Sequence, residues 1–427
     1  MIAPFVLIVL SAAGVLAGRC LSRRWLNHLS VYAITWGVSL VACEVRLLNY
    51  NPIRLVAWVY MAAACLSFFL GAALVEFAGV DPAPERALLP EFNPAHFKAL
   101  IIVLCVVSSV SLVEQVRQTN REFGGILNAI LLNPNQLYGL RTEGELGGFP
   151  YFTLFAFPAT CLAGAYTART RRVTLVGLFP LLIAGVGAVV AMQRAGLVMN
   201  TVLFLYAYAF FPGSGRFVFN KQMVFVSVLI VIMVSGFLAI GSHRGSYVYF
   251  QGQTRTLNSI AEYLSSLPAL YAYVSEPPPA FNQYLLHPEA DTNDFFGCYT
   301  FASIYRLLAK LRFRTYVPYY PPYYYTPADT NQATYLAYIH SDFGPAGIVL
   351  VPFALSALLS FLARRNANKF RLWRLMVYVN LLLVVTFSFS GYYLTYTYWS
   401  VGLILGALLG WWMDNAADRQ QTVPAPV

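Results

Sequence analysis

The sequence predicts an all-α polytopic membrane protein, and three observations carry that prediction. Of its 427 residues, 58% are hydrophobic and only 11% are charged, against about 25% charged in a soluble domain. Apolar runs of about 18 residues or more recur along the chain, each long enough to cross a hydrocarbon core of about 30 Å as a helix. The basic residues gather in the short connections between those runs, as the positive-inside rule expects. A closed β-barrel is the other spanning solution, but its strands are short and alternate in hydropathy. Segments such as Val173–Ala191 and Val224–Ile240 are apolar throughout.

Taken in order, spans are expected near residues 2–18, 29–48, 53–78, 97–116, 149–168, 173–191, 195–212, 222–241, 345–362, 372–390 and 393–413, or about eleven. The first segment lacks a basic leader and is followed by Arg19, Arg23 and Arg24, so it reads as a span and not a cleaved signal. Those arginines, with Arg169, Arg171 and Arg172, then Arg216 and Lys221, then Arg364, Arg365, Lys369, Arg371 and Arg374, fall on one side if the N-terminus is outside and the C-terminus inside. This gives a first bundle of about eight spans (1–241), a large outward loop with short helices (242–344), and three last spans with an inward C-terminus (345–427). At about 100 residues, the loop far exceeds ordinary connections. Within it Asn258–Val274 and Phe301–Leu311 read as helices, and Val317–Pro327 as an extended Pro/Tyr tract.

Several function classes recede. The net charge of +10 is accounted for largely by loop topology, and no nucleic-acid-binding module is present. The six cysteines form no CxxC pair, so neither a zinc site nor a disulfide framework is expected. There is no P-loop, HExxH, GxSxG or DxD motif. Glu44, Arg46, Glu76 and Glu114 lie near span ends, which argues against an ion-coupled transporter or proton relay. A flippase would also show paired repeats, and none is seen.

What remains polar is concentrated at outward span ends and in the long loop. Arg194 sits in the tight cap Met192–Gly196, where positive-inside bias should exclude it, and Arg244 stands likewise in Gly241–Gly245. Either arginine snorkels to headgroups, or the two supply fixed cations for a lipid-linked phosphate, which guanidinium groups bind in bidentate fashion. Arg306, Lys310, Arg312 and Arg314 form a further basic cluster, suited to solvent, to anionic headgroups or to the same ligand. The Tyr316–Tyr325 tract, which includes Tyr324, offers rings for stacking on sugars or for an interfacial aromatic belt. On a helix over 331–345, Asn331, Thr334, Tyr335, Tyr338 and Asp342 share one face, and His340 points to the opposite side. The helix should break at Gly344-Pro345.

The segments Gly297–Arg306 and Asn331, Thr334, Asp342-Phe343-Gly344 and Gly347, together with the many-span layout and its one late loop, resemble the bacterial O-antigen polymerases (Wzy type, oligosaccharide repeat unit polymerases). The sequence departs from some members in lacking their regular Arg–Gly spacing. The resemblance implies a fold similar to the C-type glycosyltransferases, set in the inner membrane with its site facing the periplasm. It implies transfer of an undecaprenyl-pyrophosphate-linked oligosaccharide onto another lipid-linked repeat, with membrane lipid and a chain-length regulator protein as surroundings, and no nucleotide, metal or other cofactor. In that setting Arg194, Arg244 and Arg306 hold pyrophosphate, and Asp342 or His243 acts as base or orienter. Asn331, Thr334, Tyr335, Tyr338 and Tyr324 bind sugars. An O-antigen ligase-like transferase shares the donor chemistry; a polysaccharide flippase is the non-enzyme alternative.

Overall fold

The computed structural model describes residues 2–78, 92–142, 150–212, 221–243, 252–288, 296–313, 324–326, 329–330 and 332–422. The chain is mostly helical: α1 (Ile2–Ser22), α2 (His28–Val45), α3 (Leu55–Ala78), α4 (Pro94–Phe123), α5 (Ile126–Leu132), α6 (Pro134–Thr142), α7 (Ala156–Thr170), α8 (Leu175–Ala191), α9 (Ala195–Phe210) and α10 (Lys221–His243) come first. There follow α11 (Arg255–Tyr263), α12 (Leu267–Ser275), α13 (Pro277–Leu286), α14 (Ala302–Lys310), the two-residue strands β1 (Tyr324–Tyr325) and β2 (Asp329–Thr330), α15 (Tyr335–Asn368), α16 (Leu372–Thr386) and α17 (Thr397–Thr422). The strands pair antiparallel as a small hairpin.

Among the described residues, five helices (α1 from Ala3, α2, α3, α4 and α15) are long and apolar enough to cross a membrane, and four shorter apolar helices lie at Leu175–Ala191, Ala195–Phe210, Ser227–His243 and Leu372–Thr386. Local chemistry sets many of their ends. Asn27 caps α2 by accepting from the Ser30 amide at 2.9 Å, Asn93 caps α4 ahead of Pro94, and Thr174 caps α8. Each cap satisfies an amide that the first helical turn leaves orphaned.

The chain forms two compact units. One comprises Met1–Ala83, Tyr247–Arg364 and Val384–Ser400; the other comprises Pro84–Ser246, Arg365–Leu383 and Val401–Val427. The first is built on an aromatic core. Tyr32 stacks on Phe68 with centroids 4.1 Å apart, Trp36 donates to Ser388 Oγ at 2.9 Å, and the Tyr32 and Tyr335 hydroxyls meet at 3.2 Å. α3 approaches α15 closely at Gly71, where a Cβ would fall 2.2 Å from the Phe353 carbonyl oxygen. In the second unit Gly164 lets α7 meet α9 in the same way, 2.5 Å from the Phe204 carbonyl oxygen. Asp414 of α17 caps α16 there, accepting from the Leu372 and Trp373 amides at 2.9 and 3.1 Å.

Several boundaries differ from expectation. The helix expected over Asn258–Val274 is two helices, α11 and α12, and Pro268 lies in the first turn of the second, where its missing donor costs nothing. The expected spans 372–390 and 393–413 are separated more widely. α16 stops at Thr386 and α17 starts at Thr397, and the segment between contains one 3-10 turn at Tyr393–Thr395. That segment is rich in Ser, Thr and Tyr, whose hydroxyls hydrogen-bond locally to the backbone and compete with the helix. The span expected at 149–168 opens as a 3-10 turn, Pro150–Phe155, before α7. Most of the Pro/Tyr tract lies outside the described residues; its end is β1.

Candidate functional site

Of the stripe expected on a helix over 331–345, only Tyr335, Tyr338 and Asp342 are helical in the described residues, because the helix starts at Tyr335 and Thr334 precedes it. α15 begins at Tyr335 and is kinked at Gly344, whose φ of 62° and ψ of −159° are not helical. The predicted break therefore holds, and Thr334 stands just before the helix. Tyr335, Tyr338 and Asp342 lie on one buried face. His340 lies on the other side, its Nδ1 3.0 Å from the Tyr284 hydroxyl and its ring 5.6 Å from that of Tyr60. Asn331 lies outside the described residues.

Asp342 is only 5% exposed. Its two carboxylate oxygens accept from the backbone amides of Tyr299 and Thr300, at 2.8 and 2.6 Å. Those amides are presented by a turn that opens at Gly297 with φ +67°, a left-handed conformation glycine adopts without cost. The turn also brings the Tyr299 ring edge-on to Tyr338 at 5.0 Å. Tyr338 in turn lies 6.3 Å from Tyr392, and Thr300 Oγ1 donates to the Tyr392 hydroxyl at 3.4 Å. Burial, with Asp342 adding to it, pushes the Tyr392 phenol up to about 12, so it keeps its proton at neutral pH. Thr334 is fully buried, and its hydroxyl has no hydrogen-bond partner among the described residues. Such a group costs about 1–3 kcal/mol until water or a ligand satisfies it.

Arg306 closes the cluster from α14. Its guanidinium is buried, with Nη1 donating to the Thr395 carbonyl at 2.6 Å and to Thr397 Oγ1 at 3.2 Å. Tyr324, also buried, packs edge-on against Tyr284 at 6.2 Å. The first unit thus gathers Thr334, Tyr335, Tyr338, Asp342 and Arg306, with Tyr324 on the His340 side.

In the second unit Arg194 is buried at the start of α9. Its guanidinium lies over Gly241 near the end of α10, where a Cβ would fall 2.7 Å from Nη1. Arg244, the other arginine expected at this end of the chain's spans, lies outside the described residues. His243 places Nε2 2.6 Å from the Ile130 carbonyl. Because a carbonyl only accepts, Nε2 carries the proton and Nδ1 holds the lone pair when the ring is neutral.

Sequence reasoning did not single out Tyr392, Thr395, Thr300 or Glu276. For the first two, the signal was the run Phe387–Ser400, where hydroxyl and aromatic residues replace the aliphatic ones of a lipid-facing helix. Glu276, between α12 and α13, accepts from Thr326 Oγ1 at 2.6 Å, with the Thr330 hydroxyl as a second donor. It ties the hairpin to the helices. Burial pushes its carboxyl above the ordinary range, against the pull of both hydroxyls. The folded state then binds this proton more tightly than the unfolded chain, so stability falls as pH rises from the ordinary carboxylate value, about 4.3, through the raised one. Glu276→Gln should remove that slope, flattening the melting temperature in detergent as pH rises above the ordinary carboxylate value. An unchanged slope would assign it to other groups.

Among the described residues no cluster of three or more His, Cys, Asp or Glu is arranged to hold a metal ion. The described residues are mostly helical, with helices long and apolar enough to cross a membrane, and in the first unit hydroxyls, rings, a carboxylate and an arginine are buried near one another. Comparison with protein-family models, curated proteins and solved structures gives no match.

Proposed function

We propose that this protein polymerises lipid-pyrophosphate-linked oligosaccharide repeats at the periplasmic face of the bacterial inner membrane, acting as a glycosyltransferase of the O-antigen polymerase type. The observation that carries the reading is the Thr334–Asp342 face. It is buried against the Gly297–Arg306 turn and the Tyr392–Thr397 segment, in a chain with membrane-length apolar helices. Sugars are bound by such mixtures of rings and hydroxyls, since a ring covers the apolar sugar face while hydroxyls pair with sugar hydroxyls.

In this reaction an acceptor hydroxyl attacks the anomeric carbon of the donor. The bond to pyrophosphate breaks, and its electron pair leaves on a phosphate oxygen. Charge neutralisation of the leaving group supplies most of the catalysis, a part for which Arg194 and Arg244 are the candidates in the second unit and Arg306 the candidate in the first. His243 Nδ1 takes the acceptor proton. Asp342, with both oxygens held by amides, acts as a positioning residue for the turn that carries Tyr299 and Thr300. Thr334, Tyr335, Tyr338, Tyr324 and Asn331 bind sugar.

The test is deletion in the host. The expected outcome is surface glycan of one repeat unit only, with chain extension restored by the intact gene and not by Arg194→Ala protein present in the membrane at the same level. Loss of all surface glycan, including the single-repeat form, would point to a ligase or flippase and overturn the proposal.

A further inference from the structure

α14 is folded inside out. Its inward face carries Ala302 and the charged Arg306, both buried. Its outward face carries Ile304, Leu307 and, just past its end, Leu311, which are 56%, 58% and 56% exposed. α11 makes the ordinary choice: Leu257 is buried, while Arg255, Asn258 and Ser259 face outward. An apolar face turned outward opposes the hydrophobic effect in water. It is the stable arrangement where the surroundings are hydrocarbon.

The basic residues fit the same surroundings. Lys310 and Arg312 are exposed at the C-terminal end of the helix, and no acidic residue occurs from Phe296 to Phe313. An outward apolar face bordered by cations is what an interfacial helix presents to anionic headgroups. The face also joins an apolar flank of the adjacent span. Phe301 and Phe296 lie 6.4 and 5.0 Å from Phe343, and beyond Phe343 the exposed Val349 and Leu350 continue down α15, the most hydropathic of the membrane-length helices.

We propose that α14 lies in the membrane interface, with Phe301, Ile304, Leu307 and Leu311 immersed in an anionic bilayer and Arg306 turned inward onto Thr395 and Thr397. The helix then forms the wall between the lipid and the Asp342 cluster. The inference does not rest on the glycan reading, and it is tested without substrate.

The test places a nitroxide at Leu307→Cys, and separately at Ile304→Cys, in full-length Cys20→Ser protein reconstituted into phosphatidylcholine–phosphatidylglycerol vesicles. Both side chains are exposed, so neither change disturbs the core. The expected result is high collision with oxygen and low collision with a water-soluble nickel chelate, at a depth of about 5–10 Å; Ser259→Cys on α11 should show the reverse ratio. Free access of nickel to the Leu307 and Ile304 labels would overturn the proposal. Low access of both reagents would also overturn it, because the face would then be covered by protein.

Discussion

Asp342→Asn is expected to reduce stability and, on the proposed polymerase function, chain extension with it. The carboxylate offers two acceptors to two amides, at 2.8 and 2.6 Å from Tyr299 and Thr300. Asparagine offers one acceptor and turns an NH2 donor toward the other amide. A buried donor left unpaired costs about 1–3 kcal/mol, and the charge-assisted character of both bonds is lost as well. The turn bearing Tyr299 would loosen against Tyr338 and Tyr392, and α14 follows directly on that turn. Melting of purified protein in detergent should therefore shift down, and polymer length should fall in parallel. A base acting on substrate would behave differently, because its amide replacement abolishes extension and leaves melting unchanged. That second pattern would return Asp342 to the chemistry.

The other large effect is expected at the kink of α15. Gly344 adopts φ 62°, ψ −159°, a region open essentially to glycine alone, and Gly344→Ala should cost about 1–3 kcal/mol in backbone strain. Gly347→Ala meets a different obstacle. Its Cβ would lie 2.4 Å from the Ile339 carbonyl oxygen across the kink, and backbone cannot yield as a flexible side chain can. Overpacking of this kind costs about 1–3 kcal/mol and sometimes more. Either change would also swing the Tyr335–Phe343 turns and carry Asp342 away from its amides. Gly185→Ala in α8 is the control. A Cβ there would meet no atom within 4 Å beyond its own turn of helix, so alanine should be neutral or stabilising by about 0.5–1 kcal/mol. Equal melting of the Gly344 and Gly347 variants with wild type would remove the kink from the fold's requirements.

Helical phase was legible from sequence because it is local. A rotation of about 100° per residue put Tyr335, Tyr338 and Asp342 on one face and His340 on the other, and the structure keeps that division. The break at Gly344-Pro345 was legible for the same reason, since proline and glycine act on their own backbone. Span boundaries were less so. The expected spans 372–390 and 393–413 leave almost no connection, because aromatic residues score as apolar, whereas α16 ends at Thr386 and α17 starts at Thr397. The hydroxyls of the segment between them instead place Tyr392, Thr395 and Thr397 beside Tyr338 and Arg306.

The sequence by itself determined that this chain is helical, that several helices can cross a membrane, and which side chains share a helix face. These follow from composition and periodicity within one segment. Only the tertiary structure decided what those faces meet. The amides that hold Asp342 lie 43 and 42 residues before it, and the carbonyl that takes the Arg306 charge lies 89 residues after it. α14 could have turned its leucines inward, as α11 turns Leu257. Arg306 finds its partners on the inside, and a buried charge requires partners where an exposed leucine does not.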